Sequence, residues 1–205
     1  LAAVTDFVFL PGSTGKLTWR FDDDISVVIF RGFFFTRSGG SSERLATIVD
    51  DNDPRIRHSS LSGVKIVKPA TLLLKNVNQS YDGVYLFQLF GSGPGVTIGV
   101  RAYIAEKPTA TVSCPSSITL NQGDDVTCVC RSKGGNPPAN VTWFKDDIRI
   151  GEPRENKTLV LSNVKETASG NYTCFAQSYP DPKYEDRETI VMKVYFKPKE
   201  TSITF

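Results

Sequence analysis

The chain has one histidine, one methionine and four cysteines in 205 residues, and no cysteine precedes Cys114. A lone His58 in a polar stretch supplies no Ser/His/Asp or Cys/His set, so no nucleophilic enzyme is read here. The cysteines lack the paired Cys-x-x-Cys or His ligands of a zinc site. No run approaches the roughly 18 apolar residues of a membrane-spanning helix. No segment sustains helical periodicity. Charge is balanced: 11 basic and 9 acidic residues up to Ala105, then 13 and 13, for a net +2. Neither half offers the basic footprint of a nucleic-acid binder. The chain begins at Leu1 without a charged, apolar, small-residue leader, and reads as a processed or trimmed fragment. With 40% hydrophobic and 22% charged residues, it is composed like an ordinary globular protein.

Two short motifs invite chemistry and do not supply it. Gly12-Ser13-Thr14-Gly15-Lys16 lacks the spacing of a phosphate loop and runs into strand-like sequence rather than a helix. Asp22-Asp23-Asp24 and Asp50-Asp51-Asn52-Asp53 have oxygen ligands that calcium would take, but they read as solvated turns. No metal and no cofactor is expected.

What is present is a repeat. Residues 71–87, TLLLKNVNQSYDGVYLF, and 158–174, TLVLSNVKETASGNYTC, agree at seven of seventeen positions without a gap. The offset of 87 residues is the length of one small β-domain. Short apolar runs recur along the whole chain, separated by turn clusters such as Ser38-Gly39-Gly40-Ser41 and Gly91-Ser92-Gly93-Pro94-Gly95. Such spacing predicts an all-β sandwich or barrel. Two related domains in tandem follow, with a junction near Glu106-Lys107-Pro108.

Four Asn-x-Ser/Thr triplets, at Asn78, Asn140, Asn156 and Asn171, occur among nine asparagines. With an even number of cysteines and no metal spacing, they point to a glycosylated, disulfide-bonded protein of the secretory pathway.

In the second half Cys130, Trp143 and Cys174 follow one another in strand-like segments, with Tyr172 two residues before the last cysteine. This order resembles the immunoglobulin superfamily. The family's Asp-x-Gly-x-Tyr-x-Cys motif is altered here, with Ala168 in place of its Asp, so the family's ion pair from that position is lost. The resemblance implies a Cys130–Cys174 bridge between sheets, which leaves Cys114–Cys128 for a first hairpin. Cys128–Cys174 with a shifted strand register is the alternative. The first half keeps the frame without cysteines. Phe87 stands at the position of Cys174, Gly83 and Tyr85 keep the corner, and Trp19 or Phe21 takes the place of the other cysteine. A longer stretch from Leu45 to Lys68 suggests the extra edge strands of a variable-type domain. A fibronectin-III reading of Leu17-Thr18-Trp19 yields to the Tyr81–Tyr85 corner. The expected architecture is a variable-like domain over 1–105 without a core disulfide, an I-set-like domain over 106–197 with disulfides, and a linker or the start of a next segment over 198–205.

Ile29-Phe30-Arg31-Gly32-Phe33-Phe34-Phe35 is apolar on both faces of a strand, where one solvated face predicts alternation. We expect Val28, Phe30 and Phe34 to face outward, with Leu86, Gln88 and Phe90 beside them and Arg31, Arg37 and Arg101 nearby. Such a patch suits a protein partner. A bulge near Gly32 would instead bury most of the rings. Tandem immunoglobulin domains with a variable-like first domain are similar to ectodomains of adhesion and immune-recognition receptors. The missing core disulfide is also met in adhesion molecules related to carcinoembryonic antigen. The overall character resembles hydroid allorecognition receptors. These resemblances imply an extracellular position at the plasma membrane. They imply homophilic binding through the first domain to the same protein on an opposing cell, with no nucleic acid and no membrane contact by the fragment itself. A heterophilic receptor or a soluble ligand-binding protein is the alternative.

Overall fold

A computed structural model describes the backbone of residues 5–21, 24–154 and 156–196. Asp22, Asp23 and the expected linker over 198–205 lie outside the described residues. The chain divides into two compact units, Leu1–Ala105 and Glu106–Phe205, and each has its own core. Among the described residues the architecture is all-β, with only short 3-10 turns besides strands.

Unit 1 contains β1 (Thr5–Phe9), β2 (Gly15–Thr18), β3 (Val28–Arg37), β4 (Ser42–Val49), β5 (Arg55–Ile56), β6 (Val64–Val67), β7 (Thr71–Leu74), β8 (Gly83–Gly91) and β9 (Val96–Ile104). One sheet runs β1-β9-β8-β3-β4-β5, and the facing sheet runs β2-β7-β6. β1 pairs parallel to β9; every other strand pairing among the described residues of the unit is antiparallel. The edge strands β4 and β5 beyond β3 are those of a variable-type immunoglobulin sandwich.

With no cysteine available, aromatic rings join the two sheets of unit 1. Trp19 stacks on Phe87 with centroids 5.3 Å apart, Phe21 lies 6.2 Å from Phe87, and Phe33 lies 5.2 Å from it. Phe33 and Phe87 are cross-strand partners, as are Trp143 and Cys174 in unit 2. Phe33 thus takes the place of the core tryptophan and Phe87 the place of the cysteine. Buried aromatic area replaces the covalent link.

Unit 2 contains β10 (Glu106–Val112), β11 (Ser117–Asn121), β12 (Val126–Asn136), β13 (Asn140–Lys145), β14 (Ile148–Arg154), β15 (Asn156–Leu161), β16 (Gly170–Gln177) and β17 (Glu185–Tyr195). Its sheets run β10-β12-β15 and β11-β17-β16-β13-β14. Cys130–Cys174 joins the sheets, with Trp143 fully buried beside it and its indole N–H donated to the Lys157 carbonyl. Cys114–Cys128 is the second bridge. Cys114 sits between β10, which pairs with β12, and β11, which pairs with β17. The bridge therefore ties the chain to β12 where it crosses from one sheet to the other. The shifted pairing Cys128–Cys174 does not occur.

The repeat has a local physical basis. Asn76 and Asn163 both adopt left-handed backbone, with φ of 50° and 51°, a conformation Asn tolerates better than most residues. The following valine then exchanges two backbone hydrogen bonds with the preceding turn: Val77 with Gly12 and Ser13, Val164 with Gly123 and Asp124. Tyr85 donates its hydroxyl to the Tyr81 carbonyl, and Tyr172 to the Ala168 carbonyl, so both units have a tyrosine corner. Burial raises the hydroxyl pKa of both tyrosines.

Candidate interaction face

The outer face of the larger sheet of unit 1 is built from alternate residues of four strands. On β8 the buried Tyr85, Phe87 and Leu89 alternate with half-buried Leu86 and Gln88 and exposed Phe90. On β3, Phe30 and Phe34 are half-buried and face the same way, with Phe30 opposite Phe90 and Phe34 opposite Leu86. The Phe30 and Phe90 rings touch, 5.8 Å apart. β4 adds Val49 opposite Phe30, and Arg44 opposite Phe34, where its guanidinium stands 5.7 Å over the ring.

Glycines make this face flat. A Cβ on Gly32 would come within 2.7 Å of the Phe34 ring and 2.8 Å of the Phe30 ring. The two rings thus lie down over the Gly32 backbone from either side. A Cβ on Gly99 would come 3.0 Å from Leu86, and one on Gly95 would collide with the Phe90 ring. The side chains spread across the sheet instead of standing up from it.

The alternation expected for β3 needs correction at two residues. The β3–β8 register shifts between Val28 and Phe30, so Val28 turns inward and is buried, while Ile29 is 54% exposed. Arg31 is the second: it is completely buried and so is not part of the outer face. It reaches Asp51 at 2.7 Å and the Pro69 carbonyl at 3.1 Å. Its guanidinium, followed by the Lys68 ammonium, holds the Asp51 carboxyl below the usual carboxylate range. A charge inside an apolar strand needs such a partner, and the strand pattern alone names none.

The remaining arginines are also engaged. Arg101 pairs with Asp82 and lies 4.5 Å over the Tyr103 ring. Arg37, at the exposed end of β3, donates to the Ser80 carbonyl. The expected cluster therefore comes together as Phe30, Phe34, Leu86, Gln88 and Phe90, with Arg31 withdrawn into the core and Arg37 and Arg101 held by Ser80 and Asp82. Val27 and Ile29, on the side of the segment expected to face inward, are 44% and 54% exposed, and Val49 and Val96, which sequence reasoning missed, are 41% and 47% exposed. Val27 and Val96 line a depression with Val28, Leu89 and Pro94 beside the 91–95 turn. The signal for Ile29 was present, since no polar residue occurs from Val27 to Phe30.

Of the four glycosylation triplets, Asn78, Asn140 and Asn171 are exposed, and the Asn156 side chain lies outside the described residues. None belongs to β3, β4, β8 or β9.

Residues 107–178 match the immunoglobulin domain family. Junctional adhesion molecule A of Felis catus is 35% identical over 122 residues, covering 50% of this chain and 40% of that protein. Human contactin-2 is 27% identical over 63% of this chain and 14% of its own length. Human ADAMTS-like protein 1 is 31% identical over 55% of this chain and 6% of its own length. A Dscam structure solved for isoform specificity superposes over 95% of this chain and 45% of that one, with a TM-score of 0.52 at 19% identity. That likeness concerns the fold. The chain spans less than half of each of these proteins.

Proposed function

We propose that this chain, a tandem of immunoglobulin-superfamily domains, is the extracellular recognition part of a cell-surface adhesion receptor. The outer face of unit 1 is its docking surface, and a second copy of the chain on an opposing cell is its partner. The carrying observation is the flat apolar strip of Phe30, Phe34, Leu86 and Phe90 laid over glycine backbone. Flat faces suit isologous contacts, in which one patch meets itself across a two-fold axis. Unit 1 carries 11 basic and 9 acidic residues, so two copies approach without a large net repulsion. Specificity in such a contact comes from rim residues that clash with the wrong partner; Arg44 and Gln88 are placed for that role. Self/non-self discrimination of the allorecognition kind is one use of such a rim. The adhesion proteins among the relatives support the class of function.

The test is bead aggregation. Beads coated with the whole chain amplify a weak contact through multivalency. The expected result is aggregation that free chain inhibits and that Phe34→Asp or Phe90→Asp abolishes while circular dichroism and melting stay unchanged. Beads that stay dispersed, with folded protein on them, overturn the homophilic reading in favour of a heterophilic ligand.

A further inference from the structure

The strand pair β13–β16 of unit 2 holds an apolar depression beside a glycosylation triplet. Asn140, Thr142 and Phe144 alternate with inward Val141 and Trp143; Asn140 is exposed and Phe144 half-buried, while Thr142 between them is itself buried. Thr142 lies opposite Phe175, and Asn140 opposite Gln177. Phe144 and Phe175 meet edge to face with centroids 5.9 Å apart. Together with Arg149 they line a depression whose rim includes Asn140 itself. Arg187 covers one side of the Phe175 ring, 4.9 Å from its centroid, and Gln177 is held by Glu185 at 2.8 Å. The aromatic floor is therefore fixed from one side and open from the other. The Asn140 side chain is exposed at its edge.

We infer that Asn140 is an N-glycosylation site whose first N-acetylglucosamine lies in this depression, its apolar C–H face against Phe144 and Phe175 and its polar edge toward Arg149 and Gln177. The chemistry on each side matches: a pyranose ring has one C–H-rich face and a rim of hydroxyl and amide groups. Aromatic rings beside a few oriented polar groups are what such a ligand requires. The tether makes the contact intramolecular, so a weak stacking interaction is populated without high sugar concentration. One consequence is that the larger sheet of unit 2 is capped by carbohydrate while the corresponding face of unit 1 is left bare. The inference rests on the secretory location proposed above, but not on homophilic binding.

The experiment uses the whole chain, secreted from human cells that make only high-mannose glycans. Peptide mapping after removal of glycans by peptide N-glycosidase reads occupancy, since a glycosylated Asn140 becomes Asp. Thermal melting then compares intact glycans, glycans trimmed to one N-acetylglucosamine, and none. The expected result is an occupied Asn140. The unit 2 transition is expected to survive trimming and to fall by about 4 °C on complete removal, the scale of a small packing term in a domain of this size. In Asn140→Gln, and in Phe175→Thr, complete removal is expected to shift that transition by less than half as much. An unmodified Asn140 overturns the site. An occupied Asn140 with equal melting for the trimmed and glycan-free forms overturns the seated sugar. Bead aggregation is read on the same preparations, so loss of either inference leaves the other standing.

Discussion

Arg31 and Asp51 form a lopsided pair. The arginine side chain is 0% exposed and the aspartate 45%. Removing Asp51 leaves a buried cation short of its counter-charge, whereas removing Arg31 leaves a carboxylate that water and Lys68 still solvate. Asp51→Ala is therefore expected to lower the urea midpoint of unit 1 more than Arg31→Met does; the reverse order contradicts the burial argument. The pair also sets an acid limit. The folded carboxyl titrates below its ordinary value of about 3.9, because Arg31 and then Lys68 favour the charged form. Its stabilisation is complete above about pH 4 and disappears as pH falls through the lower folded value. Between pH 6 and pH 3 the wild-type midpoint is expected to fall more steeply than that of Asp51→Asn. Gly32 carries a different demand. Any side chain there displaces the Phe30 and Phe34 rings, so Gly32→Ala is expected to weaken bead aggregation while the buried core stays folded.

At the scale of strands, unit 1 depends on rings where unit 2 has a bridge. Phe87 is 2% exposed and touches Trp19, Phe21 and Phe33. Phe87→Ala is expected to cost about 3–5 kcal/mol, read as the change in denaturant midpoint of unit 1. Much of this scale was legible in the sequence. The repeat located β7, β8 and their counterparts β15 and β16, because its shared residues answer to backbone demands. Asn takes left-handed φ, Val closes the turn, and Tyr makes the corner. The immunoglobulin resemblance carried by Cys130, Trp143 and Cys174 implied both bridges, and the structure has them, with Trp143 and Cys174 paired across strands. β3 was less legible. Its hydrophobicity is two-sided, and which side a residue takes depends on register shifts, one after Val28 against β8 and one after Phe33 against β4. A shift of one residue exchanges inside for outside. Arg31 is a different case: its charge suggested solvent, while alternation with outward Phe30 turns it inward, where Asp51 and the Pro69 carbonyl bind its guanidinium. The depression beside Asn140 was illegible, because Phe144 and Phe175 meet only through pairing of segments 31 residues apart.

The two units reach the same sandwich by different means, and that difference is measurable on the whole chain. Both cysteine pairs are in unit 2, with sequence separations of 44 for Cys130–Cys174 and 14 for Cys114–Cys128. Loop-closure entropy assigns about 4 kcal/mol to the longer loop and about 3 kcal/mol to the shorter. Breaking both therefore removes an amount comparable to the whole stability of a domain of this size. Unit 1 contains no cysteine, and its core of Trp19, Phe33, Phe35, Tyr85 and Phe87 is indifferent to reductant. Calorimetry of the whole chain is expected to show two transitions, assigned by melting each unit expressed alone. With a strong reductant, the unit 2 transition is expected to drop by more than about 10 °C and to disappear where the bridges are fully opened, while the unit 1 transition stays within a degree of its position. A parallel fall of the unit 1 transition in the isolated unit contradicts an aromatic core that is self-sufficient. The contrast also bears on adhesion. Reduced chain is expected to keep aggregating beads for as long as unit 1 stays folded, because the face of Phe30, Phe34, Leu86 and Phe90 belongs to the unit without a bridge. Loss of aggregation on reduction, with the unit 1 melt intact, would move the contact surface to unit 2.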